Sequence, residues 1–127
     1  MEQNVIDTVS AMTAALESGD IDTVLSYYVD DAVVAFEPGT QMRGEQQLRD
    51  GFAAFAALTP DFRYGSGHDV MIAGDTAVHI APWTMTGTTP DGTPVAQSGL
   101  SVATLRRQPD SSWKIAMDNP FGARLVP

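Results

Sequence analysis

The chain has 127 residues, 43% of them hydrophobic and 18% charged, with no cysteine and a net charge of −9 at pH 7. That length and apolar content suit one domain over residues 1–127 with a core of its own, and exclude a disordered segment. The lack of cysteine excludes thiolate catalysis, disulfides and cysteine–zinc sites, and an acidic chain whose first cation is Arg43 repels nucleic acid.

The opening MEQNVIDTVSAMTAAL has acidic and polar residues where an export signal needs cations ahead of an apolar run, and no run approaches the length of a membrane span. The expected location is the cytoplasm, with no membrane partner. Val5, Val9, Met12 and Leu16 recur at helical spacing, so residues from about 4 to 18 predict an amphipathic helix, stopped at Gly19. Asp20 caps a second helix running to about Tyr28, with Ile21, Val24, Leu25 and Tyr28 as its apolar face. Ala32 to Phe36 reads as a strand ended by Pro38-Gly39, and a loop extends from there to Gly44. Glu45 to Leu58 returns to helical spacing through Leu48, Phe52 and Phe55, with Glu45 and Arg49 as an i,i+4 pair.

Beyond Thr59-Pro60 the pattern is strand and turn. Four strands are expected, Phe62–Ala73, Thr76–Gly87, Val95–Arg107 and Trp113–Phe121, joined by turn-forming stretches into an antiparallel meander that twists and curls. Gly65, Gly67 and Pro82 read as bulge or edge positions. If Gly74-Asp75 makes a type II′ turn, Val70 faces His79 and His68 lies diagonal to it. The last strand alternates, with Trp113, Ile115, Met117, Asn119 and Phe121 on one face and Asp118 on the other unless a bulge intervenes. Three helices followed by a curled antiparallel sheet give an α+β domain, a cone whose open end admits a small apolar ligand.

The segments AALESGDIDTVLSYYVDDAVV, RGEQQLRDGFAAF and SSWKIAMDNPFG resemble the nuclear transport factor 2-like superfamily, and more narrowly its SnoaL-like and ketosteroid isomerase-like branch, over about residues 5 to 122. The resemblance implies the same cone, a homodimer through the sheet, and a small hydrophobic molecule as ligand without a cofactor. It also implies two classes of function: a cofactor-free isomerase, cyclase or hydrolase working by general acid–base catalysis, or a non-catalytic binding or assembly domain. Ketosteroid isomerase uses a tyrosine on the first helix, an acid on a strand and an aspartate base. Those places match Met12, Ala103 and Phe36, the last with Glu37 beside it, and the three matched side chains cannot carry protons. Steroid isomerisation by that route is therefore not expected, unless a gap at Glu37-Pro38 restores an acid in place of the family's aspartate-proline.

The groups left to carry chemistry are Glu37 at a strand end, His79 with His68 as its neighbour, and Asp118 late in the chain. Asp118 could equally pair with Arg106 or Arg107 on the adjacent strand. No third ligand at a recognisable spacing joins the histidines, so no metal is expected. The expected pocket wall is Met12, Tyr28, Phe36, Phe52, Phe55, Ile80, Trp83, Met117, Asn119 and Phe121. Matching to the isomerase turns Val78, Ile80 and Thr84 inward as well, whereas both faces of that strand are apolar enough to be covered.

Overall fold

A computed structural model describes all 127 residues. Three helices, α1 (Glu2–Ser18), α2 (Ile21–Ser26) and α3 (Glu45–Ala56), accompany seven strands: β1 (Tyr28–Glu37), β2 (Thr40–Arg43), β3 (Asp61–Arg63), β4 (Asp69–Ala73), β5 (Thr76–Thr88), β6 (Pro94–Arg107) and β7 (Trp113–Asn119). The fold is the α+β arrangement expected, helices on one side of a curved and mostly antiparallel sheet. The sheet order is β2-β1-β7-β6-β5-β3, with β4 also on β5. β1 runs parallel to β7, and every other pairing is antiparallel.

The local chemistry explains the early elements. Gly19, at φ 77°, takes the left-handed conformation that ends α1 and returns backbone N–H bonds to Ala15 and Leu16. Asp20 then accepts from the Thr23 N–H at the start of α2. Arg49 reaches back from α3 to Asp22 at 2.8 Å and to Glu45 at 3.2 Å, tying the two helices at the surface. Such exposed pairs contribute little, so packing holds the layer. Val5, Val9, Met12 and Leu16 of α1, with Leu48 and Phe52 of α3, close on Val34, Ala77, Ala103, Leu105 and Ile115 of the sheet.

Several boundaries differ from the sequence expectation. The expected loop between Pro38 and Gly44 contains β2, a short edge strand paired with β1. The strand expected over Phe62–Ala73 is two pieces, β3 and β4, separated by the Gly65–Gly67 turn, and both lie against β5. Pro82 makes no bulge: β5 and β6 keep one continuous register from Thr76–Arg106 to Thr88–Pro94. It sits at the gap between β3, which covers Thr84–Thr86, and β4, which covers Thr76–Ile80, where a ladder needs no donor. With the register unbroken, Ala77, His79, Ala81, Trp83 and Met85 form the buried face. Val78, Ile80 and Thr84, placed inward by the isomerase match, are on the outer face instead.

The last strand holds the decisive irregularity. Thr104 pairs with Met117 but Leu105 pairs with Ile115, which leaves Ala116 as an extra residue. Ile115 and Ala116 are both buried, and the alternation reverses beyond them. Met117 and Asn119 therefore turn outward, Met117 with 54% of its surface exposed, while Asp118 turns inward.

Candidate functional site

Between the helices and the concave face of the sheet lies a cavity of about 70 Å³, open to solvent at its mouth. Six aromatic side chains besides Tyr28 line it, Phe36, Phe52, Phe55, Phe62, Tyr64 and Trp83, and Met12, Leu16, Val34 and Ile115 fill between them. The rings interlock: Phe52 lies 4.9 Å from Phe36 and 5.1 Å from Tyr28, and Phe62 bridges Phe55 and Trp83. Pro120 O accepts from the indole Nε1–H of Trp83 at 2.9 Å, which satisfies that donor and fixes the ring.

Into this greasy wall project few polar groups: Thr13, Tyr28, Tyr64, Ser101 and Asp118. The Tyr28 hydroxyl donates to Asp118 Oδ2 at 2.6 Å. Loss of water raises the Asp118 carboxyl above the ordinary aspartate range, and the Tyr28 bond pulls it back down. Burial, and then the nearby Asp118 charge, raise the Tyr28 phenol well above its usual value, so it remains a proton donor. Thr13 gives its own proton to Val9 O and so accepts from the Tyr64 hydroxyl at 2.9 Å. Desolvation raises Tyr64 too, against the lowering effect of the Thr13 bond. Both phenol protons are thus committed, which leaves Asp118 Oδ1 as the group free to take or return a proton inside the cavity.

Of the wall expected from sequence, Met12, Tyr28, Phe36, Phe52, Phe55 and Trp83 line the cavity. Met117 and Asn119 do not, because the Ala116 bulge turns them out, and Ile80 lies on the outer face of β5. Phe121 belongs to a second, outer hollow with Phe36, Glu37, Pro38, Phe55, Gln97 and Ser98. Glu37 is there, exposed at the rim and not among the inner wall. Asp118 does not pair with Arg106 or Arg107, which bond instead to Asp31 and Asp75.

His79 lies behind the wall, with no accessible surface, on β5 opposite Val70. Its Nε2 meets His68 Nδ1 at 2.8 Å, while its own Nδ1 has no partner. An orphaned acceptor costs less than an orphaned N–H, so His79 carries its proton on Nε2 and donates to His68. Burial, and secondarily the His68 ring, lower its pKa to about 4, which keeps it neutral. His68 packs against Tyr64 with the rings tilted and 5.1 Å apart, so the pair supports the cavity through that ring without reaching it. No cluster of three or more His, Asp or Glu is placed to hold a metal. No helix is long and apolar enough to cross a membrane.

Tyr64 and Thr13 escape a pattern reading for different reasons. Tyr64 sits in a glycine-flanked turn without periodicity, whereas Thr13, four residues from Val9 and three from Leu16, was visible as a hydroxyl within the apolar stripe of α1.

A family model for the SnoaL-like domain matches residues 9–110. The chain belongs to that family. Among curated proteins, none matches it by sequence. Among solved structures, this SnoaL-like chain is similar to a nuclear transport factor 2-like superfamily protein from Salmonella enterica, with TM-score 0.84 and 14% identity over 93% of this chain and 87% of that one. A candidate aromatic ring hydroxylase from Novosphingobium aromaticivorans has TM-score 0.83 and 27% identity over 99% and 90% of the two chains. A candidate ketosteroid isomerase from Shewanella frigidimarina has TM-score 0.70 and 21% identity over 89% and 90%. The superfamily expected from the sequence is thus the one to which the SnoaL-like fold of this chain corresponds, and two of these relatives are candidates for different chemistries.

Proposed function

We propose that the chain is a cofactor-free enzyme that moves a proton on a small hydrophobic molecule, with Asp118 as the general base and acid. One observation carries this reading: a carboxyl group, held by a buried tyrosine at 2.6 Å, facing a cavity otherwise walled by apolar side chains. Such a setting supports proton transfer in two ways. It raises the carboxyl toward working pH, and it excludes the water that would stabilise the charged form. A substrate C–H next to a carbonyl, or a hydroxyl, delivers its proton to Oδ1 and receives it back at another atom, which is an isomerisation or a cyclisation; in an elimination the proton instead goes to a departing hydroxyl, which leaves as water. Ser101, on the wall, has a hydroxyl that makes no hydrogen bond within the protein and is free to donate to a developing oxyanion. Glu37 and His79 have no part in this reading, the one at the outer rim and the other behind the wall.

The test is α-proton exchange of an aryl ketone such as propiophenone in deuterated water, followed by NMR. The wild type is expected to exchange above buffer background and Asp118→Asn to lose on the order of a hundredfold of that rate. Equal rates in both proteins sink the proposal and leave a binding domain as the reading.

A second reading concerns assembly. Met71, 68% exposed, and Met117, 54% exposed, flank Ile80, Val102 and Leu100 on the outer face of the sheet. Exposed apolar side chains grouped on one sheet face favour burial against a second copy, and we infer a homodimer through this face.

A further inference from the structure

Two hollows, not one, meet at the open end of the cone. Phe36 and Phe55 line both, so they form the partition between the inner cavity and an outer vestibule whose other walls are Glu37, Pro38, Gln97, Ser98 and Phe121. The chambers differ in character. The inner one is the more enclosed and its wall is aromatic; the outer one is the roomier and its rim carries a carboxylate, an amide and a hydroxyl.

None of those three side chains is used by the fold. The five ion pairs of the chain all involve other acids, and Glu37 is exposed. β1 delivers it there because the strand kinks between Ala35 and Glu37, where its register with β2 shifts, so that consecutive residues Phe36 and Glu37 both border the vestibule. The guanidinium of Arg124 lies beside Gly39 at the β1–β2 turn and makes no ion pair with Glu37.

We infer that the vestibule is a second binding subsite, with Glu37 its specificity-determining residue, and that the ligand is two-part: a slim aromatic or planar apolar head for the inner cavity and a tail bearing hydrogen-bond donors, hydroxyl or ammonium, for the rim. This rests on the reading of the inner cavity as the site of chemistry. The chemistry at the rim sets the sign. Carboxylate oxygens accept hydrogen bonds and offer none, so a tail that donates gains a charge-assisted bond, a tail that only accepts gains nothing from Glu37, and an anionic tail is repelled. The chemistry at the far end agrees, since the two inner phenols have their protons committed and Asp118 Oδ1 also awaits a donor.

The experiment uses the full chain and four probes: p-butylphenol and its ω-hydroxy, ω-amino and ω-carboxy counterparts, titrated by NMR against wild type, Glu37→Ala and Asp118→Ala. In the wild type the hydroxy and amino probes should bind about fivefold to tenfold more tightly than p-butylphenol, and the carboxy probe more weakly. Glu37→Ala, at an exposed position that the fold tolerates, should erase that ranking and leave p-butylphenol unchanged. Asp118→Ala should weaken all four. A wild type that does not rank the tails, or a ranking that survives Glu37→Ala, overturns the subsite while the Asp118 response still upholds the inner cavity. A ranking lost in Glu37→Ala together with no response to Asp118→Ala upholds the subsite and removes the reading of Asp118. Preference for the carboxy probe overturns the donor assignment.

Discussion

The hydroxyl of Tyr28 and the carboxyl of Asp118, ninety positions apart in the chain, meet at 2.6 Å inside the cavity. The bond favours the ionised carboxylate and burial disfavours it, with burial the larger effect. Tyr28→Phe removes the opposing influence, so the Asp118 pKa should rise further. If the ionised form is the base, the acid limb of the α-proton exchange rate against pH should move to higher pH in Tyr28→Phe and vanish in Asp118→Asn. An unmoved limb in Tyr28→Phe means that another group titrates.

The same carboxyl affects stability with a definite sign. Its folded pKa is raised, so the native state holds the proton more tightly than the unfolded chain. Stability should therefore fall as pH climbs from about 4 toward the folded value, and level off above it. Asp118→Asn keeps an acceptor for Tyr28 and has no charge to desolvate. Its urea midpoint should exceed that of the wild type at pH 8 and approach it at pH 4.

His79 acts in the opposite sense. Its pKa falls from 6.5 to about 4 on folding, so the unfolded chain takes up the proton first as pH drops. Stability should decline from pH 6.5 to about pH 4, by about 3 kcal/mol if the whole shift is realised. The measurement is chemical denaturation at pH 7 and pH 5 in the Asp118→Asn background, where the carboxyl contributes nothing. His79→Phe should be flat across that interval; a slope as steep as that of its parent would assign the loss to other groups.

Gly51 of α3 has no left-handed φ, yet a methyl group there would lie 2.5 Å from the ring of Phe36. Phe36 is already edge-on to Phe52, so the ring has little freedom except toward the cavity or its mouth. Gly51→Ala should cost about 1–3 kcal/mol by overpacking, although alanine is the better helix former, and should weaken binding of p-butylphenol. Greater stability with unchanged binding would show that the ring swings aside freely.

On the outer face, Met117→Lys should convert a dimer to a monomer in light scattering at micromolar concentration, since a buried unpaired ammonium cannot be tolerated in an apolar interface. A wild type that is monomeric throughout would end the idea of a sheet-to-sheet dimer.

Much of this architecture could be read from residue patterns. Helical spacing gave α1 and α3, Gly19 and Asp20 gave the break between α1 and α2, and the Gly74-Asp75 turn fixed the β4–β5 register down to Val70 opposite His79. What failed was local and physical. β2, TQMR, is a polar edge strand with one half-buried residue, so it lacks the alternation that marks a strand. The extra residue at Ala116 has no composition signature, and it alone decides whether Asp118 faces water or the cavity. The acid position that the resemblance assigned to Ala103 shows the same limit. Ala103 pairs directly with Asp118 across β6 and β7, so the carboxyl stands one strand over from where a residue-by-residue match looks for it.

The parallel pairing of β1 with β7 has a consequence for how the protein is made. Tyr28 precedes its acceptor by ninety positions, and no nascent chain ending before Trp113 contains the strand that joins them. Until then the tyrosine hydroxyl has no carboxyl to meet and the greasy hollow lacks one side. The pocket can therefore close only once β7 has been made, after the three helices and the other six strands.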